Sequence, residues 1–232
     1  MQRRMDTQIR SPDALCFAVL AGLAAVAVAS FGWVGRDGFA RILGPVPPVA
    51  AILIAGLTGA AALFYLDAKG WLLRVAMTRR GVLILVTVTT GLAVLTILSD
   101  VLAPYPQGIN VPLPDAALFY PAIALVAESV FHLCPVVLIL GFAASLQFSR
   151  QVSWSAAVIC AALIEPVFQV AAGFGEGPLW RHGFLLLHNF AFNLLQLWYL
   201  RRHGILAMVS VRLVYYLHWH ILWGAARLEL LF

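Results

Sequence analysis

The sequence predicts an all-α, polytopic transmembrane helical bundle of about seven spans, and three observations predict it. Of 232 residues, 62% are hydrophobic and 11% charged, with a mean hydropathy of +0.93, well outside the composition of a soluble domain. The apolar residues gather into runs of about 20, the length that crosses a hydrocarbon core of about 30 Å. The Lys and Arg residues stand mostly in the breaks between those runs. The net charge of +5 and the pI near 9.5 therefore report membrane topology. They do not point to nucleic acid, and the first partner implied is the lipid bilayer of a bacterial-type inner (plasma) membrane.

The first run, 14 to 34, follows the basic start MQRRMDTQIR and ends in AVA. That pattern also fits a cleaved signal peptide, but six further runs favour an uncleaved first span. The second and third runs cover 46 to 66 and 81 to 103. Between them, DAKGWLLRVAMTRR at 67 to 80 mixes Trp71, Leu72, Leu73 and Met77 with four basic residues. That mixture suits an amphipathic segment on an anionic leaflet, or a charged loop that only sets topology. Residues 104 to 116 hold four prolines and no basic residue, which predicts an extended outer loop. The fourth run, 117 to 146, spans about 45 Å at a rise of about 1.5 Å per residue, so Pro135 is expected to kink or divide it. The remaining runs are 154 to 173, 183 to 200 and 204 to 226.

With the N-terminus inside, ten basic residues fall on the inner side: Arg3, Arg4, Arg10, Lys69, Arg74, Arg79, Arg80, Arg150, Arg201 and Arg202. Four fall outside, namely Arg36, Arg41, Arg181 and Arg227, with Arg212 within a span. The positive-inside rule thus predicts N-in and C-out. Trp33, Trp71, Trp154, Trp180 and Trp223 near the span ends suit interface anchoring. Cys16, Cys134 and Cys160 lie in apolar runs without CxxC or Cys/His spacing, so they read as small buried side chains rather than a disulfide or zinc framework.

Polar residues inside the spans are few. Glu128 and His132 are four apart on the fourth run, and Glu165 and Gln169 repeat that spacing on the fifth. The sixth carries Asn189, Asn193 and Gln196 with His188 beside them. The seventh carries Arg212, Tyr216 and His220, with Tyr215 and His218 adjacent. Each set occupies one helical face, and polar atoms facing lipid would be unsatisfied, so the four stripes are expected to converge on a buried polar cavity. The third run contributes only Thr87, Thr89, Thr90 and Asp100. The chain therefore divides into supporting helices (1–103), the Pro-rich outer loop (104–116) and a polar-cored half (117–232).

A carboxylate one helical turn from an imidazole can activate a water or supply two metal ligands. HExxH and paired cysteines are absent, so ligand spacing does not indicate a divalent metal, and the cofactor is left open. The same groups can simply neutralise Arg212 and His132 and lock the helices together. Intramembrane Glu, His and Arg also build proton or ion pathways, although no inverted repeat is visible. His132, His188, His218 and His220 are the residues that would ligate a haem or chlorophyll, but CxxCH does not occur.

The order AESVFH at 127–132, IEP at 164–166 and WYLRRHGILAMVSVRLVYY at 198–216 resembles the CAAX protease and bacteriocin-processing (CPBP, or Abi) intramembrane proteases across residues 117 to 220. In that family one span carries EExxxR, a following span ends in FxxxH and the last carries HxxxN. Glu128 falls on the glutamate that does the chemistry and Phe131 on its aromatic neighbour, with Ala127 in place of the paired glutamate and His132 in place of the arginine. Glu165 falls near the FxxxH histidine, Arg212 near the HxxxN histidine and Tyr216 at the asparagine. A second register sets Glu165, Phe168 and Gln169 on the first motif and Phe184 with His188 on FxxxH, leaving His218 or His220 for the last, but its spacings are shorter than the family's.

The resemblance implies a glutamate-dependent intramembrane endopeptidase acting on a membrane-proximal peptide. Glu128 would be the base, His132 and Glu165 would orient the water or hold a metal, and Arg212 with Asn193 would stabilise the oxyanion. Gln169, His188, Asn189, Tyr216 and His220 would support the cavity. Replacing two histidines by a carboxylate and a permanent cation, however, makes an ion-pair network. The alternative is a catalytically inactive CPBP-like protein that binds or assembles a partner transmembrane helix, a lipid or a cofactor.

Overall fold

The computed structural model describes residues 11–31, 36–173 and 177–232. Among them every regular element is helical: α1 (Pro12–Ser30), α2 (Arg36–Leu43), α3 (Pro48–Ala68), α4 (Arg79–Leu102), α5 (Asp115–Ser145), α6 (Arg150–Ala171), α7 (Leu179–His203) and α8 (Ile205–Leu230), with one short 3₁₀ turn at Gln107–Ile109. Six of these, α1, α3, α4, α5, α6 and α8, are long and apolar enough to cross a membrane, the pattern of a multi-pass membrane protein. α7 has 25 residues, but its His188, Asn189, Asn193 and Gln196 and its terminal arginines make it less apolar. Arg3, Arg4, Arg10 and Trp33, which entered the topology and anchoring expectations, lie outside the described residues.

Local chemistry sets the helix starts. The hydroxyls of Ser11, Thr78 and Ser149 accept from the backbone N–H of Ala14, Gly81 and Val152, capping α1, α4 and α6. Asp13 caps a helix far away in sequence, since its Oδ1 accepts from Ile205 N–H at 3.1 Å. Gly204, at φ +89°, joins α7 to α8, and a Cβ there would lie 2.7 Å from that carboxylate oxygen. α1 and α3 cross at glycines: a Cβ on Gly56 would meet Ala21 Cβ at 2.5 Å, and one on Gly59 would meet the Phe17 ring at 2.3 Å. Close backbone approach of this kind is how apolar helices associate in lipid.

The long fourth run does not divide at Pro135. α5 continues for 31 residues by widening into a π-helix over Glu128–Leu133, where Cys134 N–H bonds to Ser129 O five residues back. Pro135 then stands in the first turn of the resumed α-helix, where its missing N–H leaves no bond unmade. α8 widens in the same way over Leu217–Leu222, with Trp223 N–H on His218 O.

Two connections carry structure of their own. The short helix α2 occupies part of the connection between α1 and α3, seating Phe39 edge-on against Phe119 at 4.9 Å. Residues 71 to 78 form no regular element, and Arg74 there is left-handed at φ +54°. Leu73 and Val75 donate backbone N–H to the carbonyls of Arg201 and Arg202, each at 2.7 Å. The last carbonyls of a helix have no partner within it, and α7 therefore holds this strap at its C-terminus.

The interior combines an apolar cluster, including Phe17, Leu63, Phe119, Leu133, Leu197 and Met208, with buried polar residues. Much of the outer surface is apolar, with Leu57, Leu83, Leu138 and Leu187 exposed, as a lipid-facing exterior requires. α1 and α3 pack on α5, and α4 packs on α8. Cys16 and Cys134 are half-buried, but Cys160 is exposed; on an apolar outer face a thiol needs no burial. Trp154 is packed inside and Trp223 is bonded to Asp100, so these two serve packing, while Trp180 is exposed.

Candidate functional site

α5, α6, α7 and α8 bring their polar faces to one point, and Arg212 is its centre. Nε donates to Glu128 Oε1 at 2.6 Å. Nη1 donates to Glu165 Oε1 at 2.9 Å and to the Tyr216 hydroxyl at 3.1 Å, and Nη2 to Glu165 Oε2 at 2.9 Å and to Gln196 Oε1 at 3.2 Å. A guanidinium has five N–H donors, and here all five have acceptors. Its contact with Glu165 is bidentate, the strongest geometry for this pair.

The surrounding bonds extend the same network. Gln196 Nε2 donates to Glu128 Oε1. Gln169 Nε2 donates to Glu165 Oε1 at 3.2 Å, and its Oε1 accepts from Asn189 Nδ2 at 2.6 Å. Asn193 Nδ2 donates to Ala162 O at 3.1 Å. Pro166 follows Glu165 within α6 and has no N–H for the carbonyl four residues back. Asn193 supplies the donor that Pro166 withholds, which explains an amide at that position of an apolar helix.

His132 completes the cluster. Its Nδ1 lies 2.8 Å from Glu128 Oε2 and its Nε2 4.0 Å from Glu165 Oε2, yet neither ring nitrogen has an aligned hydrogen bond, nor do Glu128 Oε2 and Asn193 Oδ1. Two carboxylates face one arginine, and His132 is the remaining group able to carry a balancing charge. Glu128, His132, Asn193 and Gln196 are 0% exposed and Arg212 1%. The expected cavity is therefore a filled polar core. Concavities of about 480 Å³ at Ala103–Pro106 with Arg181, and about 350 Å³ between α1, α5 and α8, lie away from it.

Not every expected member joins. His188 Nε2 lies 3.0 Å from Thr96 Oγ1 and 3.3 Å from the Tyr215 hydroxyl, forming a separate contact between α4, α7 and α8. His220 Nδ1 lies 2.7 Å from Asn110 Oδ1, and its ring stacks on Tyr120 at 4.5 Å. It touches the core only through the edge of Tyr216, at 4.9 Å. His218 Nδ1 turns back on Val214 O at 2.8 Å.

Two features go beyond the sequence reading. Gln196, expected at the cavity only as part of its stripe, bridges Arg212 and Glu128. A second buried ion pair joins Asp100 to Arg227 across 127 positions, at 2.7 and 2.8 Å. Asp100 also accepts from Trp223 Nε1 and Tyr105 N–H, each at 2.7 Å. Arg227 donates in turn to the carbonyls of Tyr105, Pro106 and Gln107, tying the Pro-rich loop to α8. Burial pushes the Tyr105 hydroxyl above its ordinary pKa, opposed by its bond from Ser99 and by Arg181 over its ring at 4.3 Å. The nearest local signal for this clamp was an acid near the end of α4, with no spacing rule linking it to Arg227. Among the described residues no group of three or more His, Cys, Asp or Glu could hold a metal ion. Comparison with known proteins found no match to a family model, a curated protein or a solved structure.

Proposed function

We propose that the chain is a CPBP-like inner-membrane protein with seven spans, N-in and C-out, whose polar core holds the helices in register and which acts by binding or assembling a partner rather than by hydrolysis. The observation that carries this reading is the saturation of Arg212. A glutamate that activates water needs a free lone pair and a path for the water. Glu165 instead spends both oxygens, and Glu128 its Oε1, on a permanent cation, and the core is closed to solvent. A fixed arginine also favours the ionised, weakly basic form of a carboxylate. The span added to the six most apolar helices is α7, sixth in chain order, whose polar face turns onto this core.

One observation favours the hydrolytic reading. Glu128 Oε2 and His132 Nε2 lack hydrogen-bond partners, the arrangement a dyad would show before a water arrives. New protein N-termini in membranes from cells with wild-type protein, with none, and with Glu128→Gln at matched abundance separate the two. The binding reading expects the same termini in all three. A set present only with wild type would establish peptide hydrolysis and overturn it.

A further inference from the structure

At the end of the bundle where α3, α6, α7 and the strap meet, two arginines lie on a pair of tryptophans. Trp71 and Trp154 stack at 5.8 Å and 22°. The Arg150 guanidinium sits 4.1 Å above Trp71 and that of Arg201 4.7 Å above Trp154. Arg150 is anchored through Nη2 to the carbonyls of Lys69 (2.9 Å) and Gly70, while Arg201 Nε is buried without any hydrogen-bond partner. The two cations repel one another. The carboxylates in ion pairs at this end, Asp13 and Asp67, both pair with Arg74.

Arg150 is held by two carbonyls, but among the described residues no carboxylate pairs with it or with Arg201, so two neighbouring cations call for an anion from outside the chain. Stacking covers the face of each group and leaves its N–H edge, which matches phosphate oxygens. Leu73, whose backbone is bonded to Arg201 O, is 57% exposed beside them, an apolar neighbour suited to the acyl chain below a headgroup. We propose that Arg150 and Arg201 bind the phosphate of an anionic phospholipid headgroup in the leaflet at this end. The site stands apart from the polar core and is independent of what that core does.

Thermal unfolding of the detergent-solubilised protein, titrated with phosphatidylglycerol, phosphatidylcholine or inorganic phosphate, tests it. Phosphatidylglycerol raises the unfolding temperature saturably and the other two do not. Arg150→Gln with Arg201→Gln, compared with its own unfolding temperature in phosphatidylcholine, binds phosphatidylglycerol about 30-fold more weakly, since each basic residue near an anionic surface contributes about 1 kcal/mol. Should the double variant not fold, Arg201→Lys, which keeps the charge and loses the planar fork, is read in its place and also weakens binding. Equal responses to the two lipids, stabilisation by inorganic phosphate alone, or an undiminished phosphatidylglycerol response in the variant read would each overturn the proposal.

Discussion

Arg212 shows why a buried ion pair is costly to alter in part. Its five N–H groups each find an acceptor in Glu128 Oε1, the two oxygens of Glu165, Gln196 Oε1 and the Tyr216 hydroxyl, so removing the cation strands the rest where no water reaches. Arg212→Gln is therefore expected to destabilise the protein by about 3–5 kcal/mol, measured as a fall in unfolding midpoint in mild detergent. Arg212→Lys recovers little, because a compact ammonium cannot reach five acceptors arranged for a planar fork. Adding Glu128→Gln and Glu165→Gln to Arg212→Gln restores part of the loss, since the uncompensated charges go with the cation. An Arg212→Gln protein as stable as wild type would refute the structural role of the cluster. The residues of this cluster were largely legible in the sequence, because lipid punishes isolated polar groups and leaves few to choose among. His188 and His220 were misplaced because sharing a helix with the core residues does not fix which neighbour a side chain meets. Their partners Thr96 and Asn110 come from α4 and the Pro-rich loop.

Among the elements, the helices that pack most closely do so without polar groups. α1 and α3 approach where Gly56 and Gly59 leave room for Ala21 and Phe17. Gly59→Val would force the Phe17 ring aside and is expected to cost about 1–3 kcal/mol in the same unfolding assay. Gly22→Ala, whose Cβ meets nothing within 4 Å, is expected to be neutral or slightly stabilising. If both variants behaved alike, close contact between α1 and α3 would be disproved. The π-helical stretches show a different limit of sequence reading. The excess length of the fourth run and the presence of Pro135 were visible, but helix widening was not. A proline can be accommodated by a break, a kink or a wider turn, and the choice depends on what the next turn packs against. Here the widened turn carries both Glu128 and His132.

At the scale of the molecule, two groups of arginines among the described residues tie loops and helix ends down at opposite ends of the bundle. The carbonyls of Lys69 and Gly70 receive Arg150, and those of Arg201 and Arg202 receive the strap. At the other end Arg41, Arg181 and Arg227 all donate to carbonyls between Ala103 and Gly108. The proposed orientation puts the first end inside. Single cysteines in an otherwise cysteine-free chain check it: at Lys69 or Arg202 an impermeant thiol reagent is expected to react only after the cell is opened, and at Gln107 or Glu229 in intact cells. The reverse pattern would invert the topology, and labelling of position 202 and position 107 from the same side would remove α7 as a span.

The sequence by itself determined that this chain is a helical membrane protein, where most of its spans fall, and which polar residues had to be buried. Those conclusions follow from free energies of transfer, which act residue by residue and survive any arrangement of helices. Tertiary structure decided what the polar residues do for one another. Only the crossing of α5, α6, α7 and α8 gives Arg212 five acceptors and sets the Asn193 amide opposite the carbonyl that Pro166 leaves free, and only the packing of α4 on α8 joins Asp100 to Arg227. Hydrogen bonds and ion pairs depend on distance and direction, and between helices these are set by how side chains interlock.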